Sequence, residues 1–328
     1  MQKTIVILFF FFLFSCNQFK EDSKGDFNQI VILSSEEDRI ILEPIINDYI
    51  FFDTVYTPEP EPKYRKTWIE PDNFDYYKNY SNIFVISITD PIDQTIDSIV
   101  SDFKNRNNIE KFPAITYNVY SKPQIITFIQ NFNNVKLKEN LDSIGYLLNQ
   151  LVDAHVDTLY SYRYSRFDKN LEIEELSSEI FKHKLFVDKN FKIIDHDIFN
   201  KFLWIGKGNV NSSYEWLLIN ENLNVGIEGN LDLFQIIEED LANIDSNIKI
   251  ISNNNKYKKI ELGNINLYTI HTNYNHDLYK TGGPLIIYLL ENLIDKKNII
   301  FYGFVNAPGQ NKLKYIKELE TIIINSIF

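Results

Sequence analysis

The sequence predicts an α+β fold: a mixed, largely antiparallel sheet or pair of sheets with helices packed on one face, set behind a short export segment. Three observations carry this. Strand-like runs alternate with helical periodicities over the first half of the chain, and short apolar runs bounded by turn residues dominate the second half. Residues 5–14 are an unbroken apolar run, which at helical rise spans about 15 Å, half of a hydrocarbon core of about 30 Å. Too short to cross a bilayer, preceded by Lys3 and closed by Ser15 and Cys16, that run reads as a signal peptide over residues 1–15.

Leu13-Phe14-Ser15-Cys16 resembles the lipobox of bacterial lipoproteins. That resemblance implies lipid modification of Cys16, palmitate included, and a mature chain that begins there. Cys16 is the only cysteine among 328 residues, so an intrachain disulfide framework, a thiolate metal site and any other cysteine nucleophile are excluded. The formal net charge of −12 gives no long-range attraction for phosphate backbones, and nucleic acid is not an expected partner. With 44% apolar and 15% aromatic residues the body is too hydrophobic for disorder. Residues 16–26 read as the lipidated cysteine and a flexible polar tether, of which ten residues as coil reach about 17 Å. Residues 27–328 read as the globular region, with a division into sub-domains expected near residues 168–190.

The elements follow in order. Residues 29–33 predict a strand, and Ser34 with Glu37 has capping-box spacing for a helix toward Ile50, with Pro44 placed to kink or split it. Residues 54–72 carry Pro58, Pro60, Pro62 and Pro71 and read as a long extended connection, with Tyr64 and Trp68 as its exposed aromatics. Residues 82–89 predict a strand and 91–106 a helix with Ile92, Ile96, Ile99, Val100 and Phe103 on one face. Strands are expected at 115–120 and 124–130, broken at Pro123. Leu137, Leu141, Ile144, Leu148, Leu151, His155 and Leu159 then make one apolar stripe over a long helix. Residues 171–182 predict a solvated amphipathic helix. Strands at 191–195, 202–205 and 215–219 precede a helix over 231–244 with Glu238, Glu239 and Asp240 facing out. The chain closes with strands at 265–271, 285–290 and 299–305, a break at Gly282-Gly283-Pro284, a link through Asp295 to Asn298, and a helix over 311–324.

Candidate chemistry is sparse. The segment LYSYRYSRF, residues 159–167, places Tyr160, Arg163, Tyr164 and Phe167 on one helical face, a combination suited to a sugar ring, a carboxylate or a protein hot spot. The competing reading is that the tyrosines pack and the arginines snorkel. Asp153, His155 and Asp157 do not share a helical face, so His155 reads as a core residue and no metal or cofactor is expected. Asp195-His196-Asp197 and the pair His271 and His276 lack a recognised metal spacing and read as polar loop positions. No nucleophile elbow, Ser-x-x-Lys pair, His-Glu-x-x-His or phosphate loop occurs.

Phe202-Leu203-Trp204-Ile205, Gly282-Gly283-Pro284, and Gly303-Phe304-Val305 with Ala307-Pro308 followed by Leu319-Glu320 resemble the pattern of an uncharacterised lipoprotein family, domain of unknown function 4837. Glu59-Pro60-Glu61-Pro62 resembles a proline-acid segment of the same family, and the likeness runs from about residue 27 to the end. The resemblance implies an envelope lipoprotein and no particular activity. Together with the export segment it leads to an expectation of a lipid-anchored protein at the outer membrane, with an envelope protein or glycan as partner and a binding or assembly role. The alternative is a membrane-tethered hydrolase of wall or glycan material using a site such as Asp195 and His196.

Overall fold

The computed structural model describes residues 20–88, 93–107, 113–130, 141–223, 230–294 and 297–327. The signal segment 1–15, Cys16 and the start of the tether lie outside the described residues, as do Pro91, Ile92, Leu137, Asp295 and Lys296 and the side chains of Leu141 and Ile144. Seven α-helices, a mixed sheet and a curled antiparallel half-barrel make up an α+β fold among these residues. The chain divides after Ile41, Arg65 and Glu139: one compact unit takes the residues up to 41 with 66–139, the other takes 42–65 with 140 onward. Residues 168–190, where a division was expected, lie inside the second unit.

In the first unit the strand order is β4 (Arg65–Ile69), β1 (Gln29–Leu33), β5 (Asn82–Ser87), β7 (Ile125–Gln130) and β6 (Ala114–Tyr117). β1, β5 and β7 run parallel and β6 returns antiparallel. The three parallel strands are buried along their whole length, which is why their sequences are continuous apolar runs and not alternations. The helix Gln94–Asn107 (α3) lays Ile96, Val100 and Phe103 on this sheet, with Phe103 stacked on Phe128 at 3.9 Å. Gln124 stitches the loops at one end: its amide donates to the carbonyls of Lys78 and Tyr80 at 2.6 and 2.8 Å and its oxygen accepts from Tyr120 N.

Two expectations are corrected in this part of the chain. The helix α1 (Glu36–Ile45) is capped by Ser35, whose Oγ accepts from Asp38 N at 3.1 Å, one residue later than the predicted cap. The chain passes Pro44 and then widens into a π-helical turn over Ile46–Ile50, after which Phe51 N donates to Ile46 O. The second correction concerns the tether. Its described part is not a free coil: Lys122 N donates to Glu21 O, Ser23 N to Lys122 O and Lys24 N to Asn79 O, at 2.9, 3.1 and 2.8 Å. Residues 21–24 are thereby fastened to the first unit.

In the second unit β2 (Thr54–Val55) and β3 (Glu61–Pro62) form a small antiparallel pair, and seven antiparallel strands run in the order β11 (Ile248–Leu262), β12 (Ile265–His276), β13 (Thr281–Asn292), β14 (Lys297–Asn306), β10 (Tyr214–Leu223), β9 (Phe202–Gly208) and β8 (Lys192–Asp197). Alternation along β10 sends Leu217 and Ile219 to one face and Trp216 and Leu218 to the other. Leu217 and Ile219 meet the helices α5 (Leu171–Phe181) and α7 (Leu313–Ile327), while the helix α6 (Asn230–Ile244) covers the opposite face through Leu233, Ile237 and Leu241. Helices therefore cover both faces and not one. Asp240 of α6 faces in and not out, accepting from Tyr302 Oη and Asn220 Nδ2 at 2.7 Å each. The long helix α4 (Leu141–Tyr164) buries Leu148, Val152, Val156 and Leu159 and runs against α7.

Gly282-Gly283-Pro284 is not a break but part of the opening stretch of β13. A Cβ on Gly283 would overlap the carbonyl oxygen of Val305, and one on Gly282 would come within 2.6 Å of Tyr274 O, so the neighbouring backbones fill the space a side chain needs. Pro284 lies opposite Asn273 in the ladder to β12 and just before the ladder to β14 begins at Leu285. Gly283→Ala is expected to destabilise the protein by about 1–3 kcal/mol, as overpacking does, read as a lower urea midpoint with an unchanged slope.

Candidate functional site

The face predicted from residues 159–167 does not assemble. Tyr160 is buried because it continues the inward stripe of Val152, Val156 and Leu159, and burial first, then the nearby Glu318 charge, pushes its hydroxyl pKa up. Tyr164 is half-buried and its hydroxyl donates to the Phe186 carbonyl; Phe167 meets it edge-on at 4.7 Å. Arg163 alone of the four is exposed. Thus Tyr164 and Phe167 are brought together, but as packing at a helix end. Tyr64 is also buried, donating its hydroxyl to Asp153, the carboxylate that Lys63 pairs with at 2.7 Å.

The other flagged groups are likewise dispersed. Asp195 and His196 sit exposed on β8, at the edge of the sheet beside a register shift, with Asp195 accepting from His196 N. His271 and His276 lie an odd number of residues apart on β12 and so point to opposite faces: one meets Glu320 at 3.3 Å and the other Asp245 at 3.2 Å. Among the described residues no three His, Cys, Asp or Glu side chains converge as a metal site.

Two concavities do gather polar groups. In the second unit a pocket of about 200 Å³ is lined by Asp53, Thr54, Val55, Tyr56, Lys63, His271, Leu313, Ile316, Lys317 and Glu320. Its floor is an ionic chain. Glu320 accepts from His271 Nε2 and lies 2.9 Å from Lys317 Nζ, which reaches Asp157 at 2.8 Å, and Tyr288 donates to Glu320 from the sheet. Burial alone would raise the Glu320 carboxyl, but the His271 hydrogen bond and the Lys317 charge outweigh it and lower its pKa to about 2. These groups satisfy one another's hydrogen-bonding capacity at the base of the pocket.

The first unit holds the larger opening, a crevice of about 470 Å³ lined by Ser34, Glu36, Arg39, Trp68, Ile69, Glu70, Asn73, Tyr76 and Tyr77. It lies at the carboxyl end of β1, where the chain leaves the sheet into α1. From β1 the sheet continues to β4 on one side and β5 on the other, the position at which open α/β sheets leave a gap between diverging connections. β4 supplies Trp68, Ile69 and Glu70; a 3₁₀ turn over Pro71–Asn73 and the short helix α2 (Phe74–Tyr77) supply the rest. The Arg39 guanidinium stands 5.8 Å from the Trp68 ring, and Tyr76 and Tyr77 meet edge-on at 4.9 Å. Tyr76 is 73% exposed, so a large aromatic surface faces solvent at the rim. Asp38, behind this wall, accepts from Ile88 N at 3.1 Å and fixes α1 to the end of β5. Sequence reading flagged Trp68 as an exposed aromatic but not the strand that carries it.

The second unit is thus an antiparallel half-barrel with a terminal helix packed on its inner strands. Its residues 242–325, from the end of α6 through β11–β14 and most of α7, match a family described as a domain of unknown function, DUF4837. That segment holds Gly282-Gly283-Pro284, Gly303 and Leu319-Glu320, together with His271 and Lys317; the likenesses at residues 59–62 and 202–205, and the crevice of the first unit, lie outside it. No curated protein matches the chain.

Proposed function

We propose that this is a lipid-anchored envelope protein with a binding role, retained at the outer membrane through acylated Cys16, and that the crevice of the first unit is where it engages its ligand. The lipobox-like close of the apolar run supports the anchor. The observation that carries the binding role is the crevice: three aromatic side chains, two carboxylates, a guanidinium and an amide gathered around one open hollow at a strand's carboxyl end. Side chains of this kind, held on a sheet and a helix start, form a preorganised surface.

A photo-cross-linking residue placed at Tyr76 in intact cells tests this, with the fully exposed Phe199 as the control position. Tyr76 is expected to yield discrete adducts that Phe199 does not, and Cys16→Ala is expected to move the protein out of the membrane fraction. Equal labelling at the two positions removes the crevice from consideration, and membrane retention of the Cys16 variant removes the anchor.

A further inference from the structure

We propose that the crevice takes a neutral saccharide, one sugar ring lying against Trp68 with its hydroxyls held by Glu36, Glu70, Asn73 and Ser34; this rests on the reading of the crevice as a ligand site. The size, lining and charge of the crevice select that chemistry.

The hollow, about 470 Å³, falls within the roughly 300–1,000 Å³ of small-ligand sites. Its lining mixes acceptors and donors at close spacing. The carboxylates of Glu36 and Glu70 accept only, Arg39 donates only, and Asn73 and the tyrosine hydroxyls do both. A ring bearing adjacent hydroxyls, each both donor and acceptor, satisfies such a set; an apolar ligand leaves it unmet. Ser34 adds a specific vacancy: it is 3% exposed, lines the crevice, and its Oγ has no hydrogen-bond partner among the described residues.

The aromatic walls supply the flat faces on which the C–H side of a sugar ring stacks, because those hydrogens carry slight positive charge toward the negative face of the ring. Charged ligands are disfavoured by both signs of the local field. Glu36, Glu37 and Asp38 already occupy the first turn of α1 and Glu70 lines the crevice with Glu36, which repels phosphates and nucleotides from a helix start that would otherwise attract them. The Arg39 guanidinium, 5.8 Å from the centre of the Trp68 ring, adds positive charge there that opposes a cationic ligand. A neutral, hydroxyl-rich ring is what remains.

The test uses the full chain in detergent, titrated by calorimetry with cellotetraose, maltotetraose, mannotetraose and chitotetraose, and separately with inorganic phosphate and a lysine-rich peptide. One or more of the tetrasaccharides is expected to bind, with phosphate and the peptide silent. Trp68→Ala is expected to weaken that binding at least about tenfold and Ser34→Ala severalfold, while Trp68→Phe keeps most of it, far-UV circular dichroism confirming the fold of each. Sugar binding that Trp68→Ala leaves unchanged overturns the inference, as does the absence of any sugar binding. In the latter case adducts at Tyr76 show that the crevice serves another ligand, whereas loss of both signals removes the ligand-site reading too.

Discussion

Lys317→Met is expected to destabilise the second unit by roughly 3–5 kcal/mol at neutral pH, because it removes one partner of a buried ion pair and leaves the other charged. Lys317 bridges Asp157 and Glu320 at 2.8 and 2.9 Å, and the Glu320 side chain is only 10% exposed. Without the ammonium, Glu320 keeps the His271 and Tyr288 hydrogen bonds but loses its compensating charge. The pH dependence fixes the interpretation. In the intact protein the folded-state carboxyl titrates at about 2, below its ordinary 4.5, so its contribution is present above 4.5 and disappears as pH falls through about 2. Urea unfolding should therefore show the variant's deficit at pH 7 and a smaller one at pH 3, where its own Glu320 is protonated more easily. A deficit under about 1 kcal/mol at pH 7 would mean that the chain is no more than a surface pair.

Glu215→Gln is expected to act in the opposite direction. Glu215 is buried on β10; its Oε1 lies 3.3 Å from Lys207 Nζ, but Lys207 sits closer to Glu318, at 2.6 Å, and Oε2 has no partner among the described residues. Burial, then the Glu318 charge, pushes the Glu215 carboxyl up to about 8 against the weaker pull of Lys207. The sign follows from linkage. A folded-state pKa above the unfolded 4.5 means the proton is held more tightly in the folded chain, so its stabilisation is complete below about 4.5 and is lost as pH rises through about 8. The protein should melt at a lower temperature at pH 9 than at pH 5. Glutamine, which mimics the protonated acid, should flatten that profile and exceed the parent at pH 9 by a margin on the order of a few kcal/mol. Parallel melting profiles for the two proteins would show that Glu215 does not hold a proton.

Both networks join residues far apart in the chain, and this marks the limit of what could be read beforehand. Long-range pairing leaves no local pattern: nothing near His271 announces Glu320, although the three-residue spacing of Lys317 and Glu320 on a helix does place them on one face. Elements with a strong apolar period were legible. The buried parallel strands, α3, the stripe of α4 from Leu148 and the closing helix all appear within a few residues of where the pattern put them. Two of the longer strands were not. β11 is polar, with Ser252-Asn253-Asn254-Asn255 in its middle, because it forms a sheet edge and needs no second apolar face. β4, whose sequence is RKTWI, is also an edge strand and was absorbed into the proline-rich connection, which concealed the element that positions Trp68. Tyr160 was open to two readings, packed or presented. A helical wheel puts it beside Arg163 and Tyr164, yet the neighbouring α7 covers one side of that face and leaves only the arginine in solvent.

The fastening of residues 21–24 has a consequence for any chain acylated at Cys16. From Cys16 to Glu21 a fully stretched backbone spans no more than about 18 Å, so the leash is spent before the body begins. The first point of attachment is Lys122, whose N donates to Glu21 O, followed by Asn79 and Ser81, which bond Lys24 just before β5. β5 begins at Asn82 and runs parallel to β1, so a lipid at Cys16 would hold the amino ends of these strands toward the bilayer and turn their carboxyl ends, with the crevice, away from it.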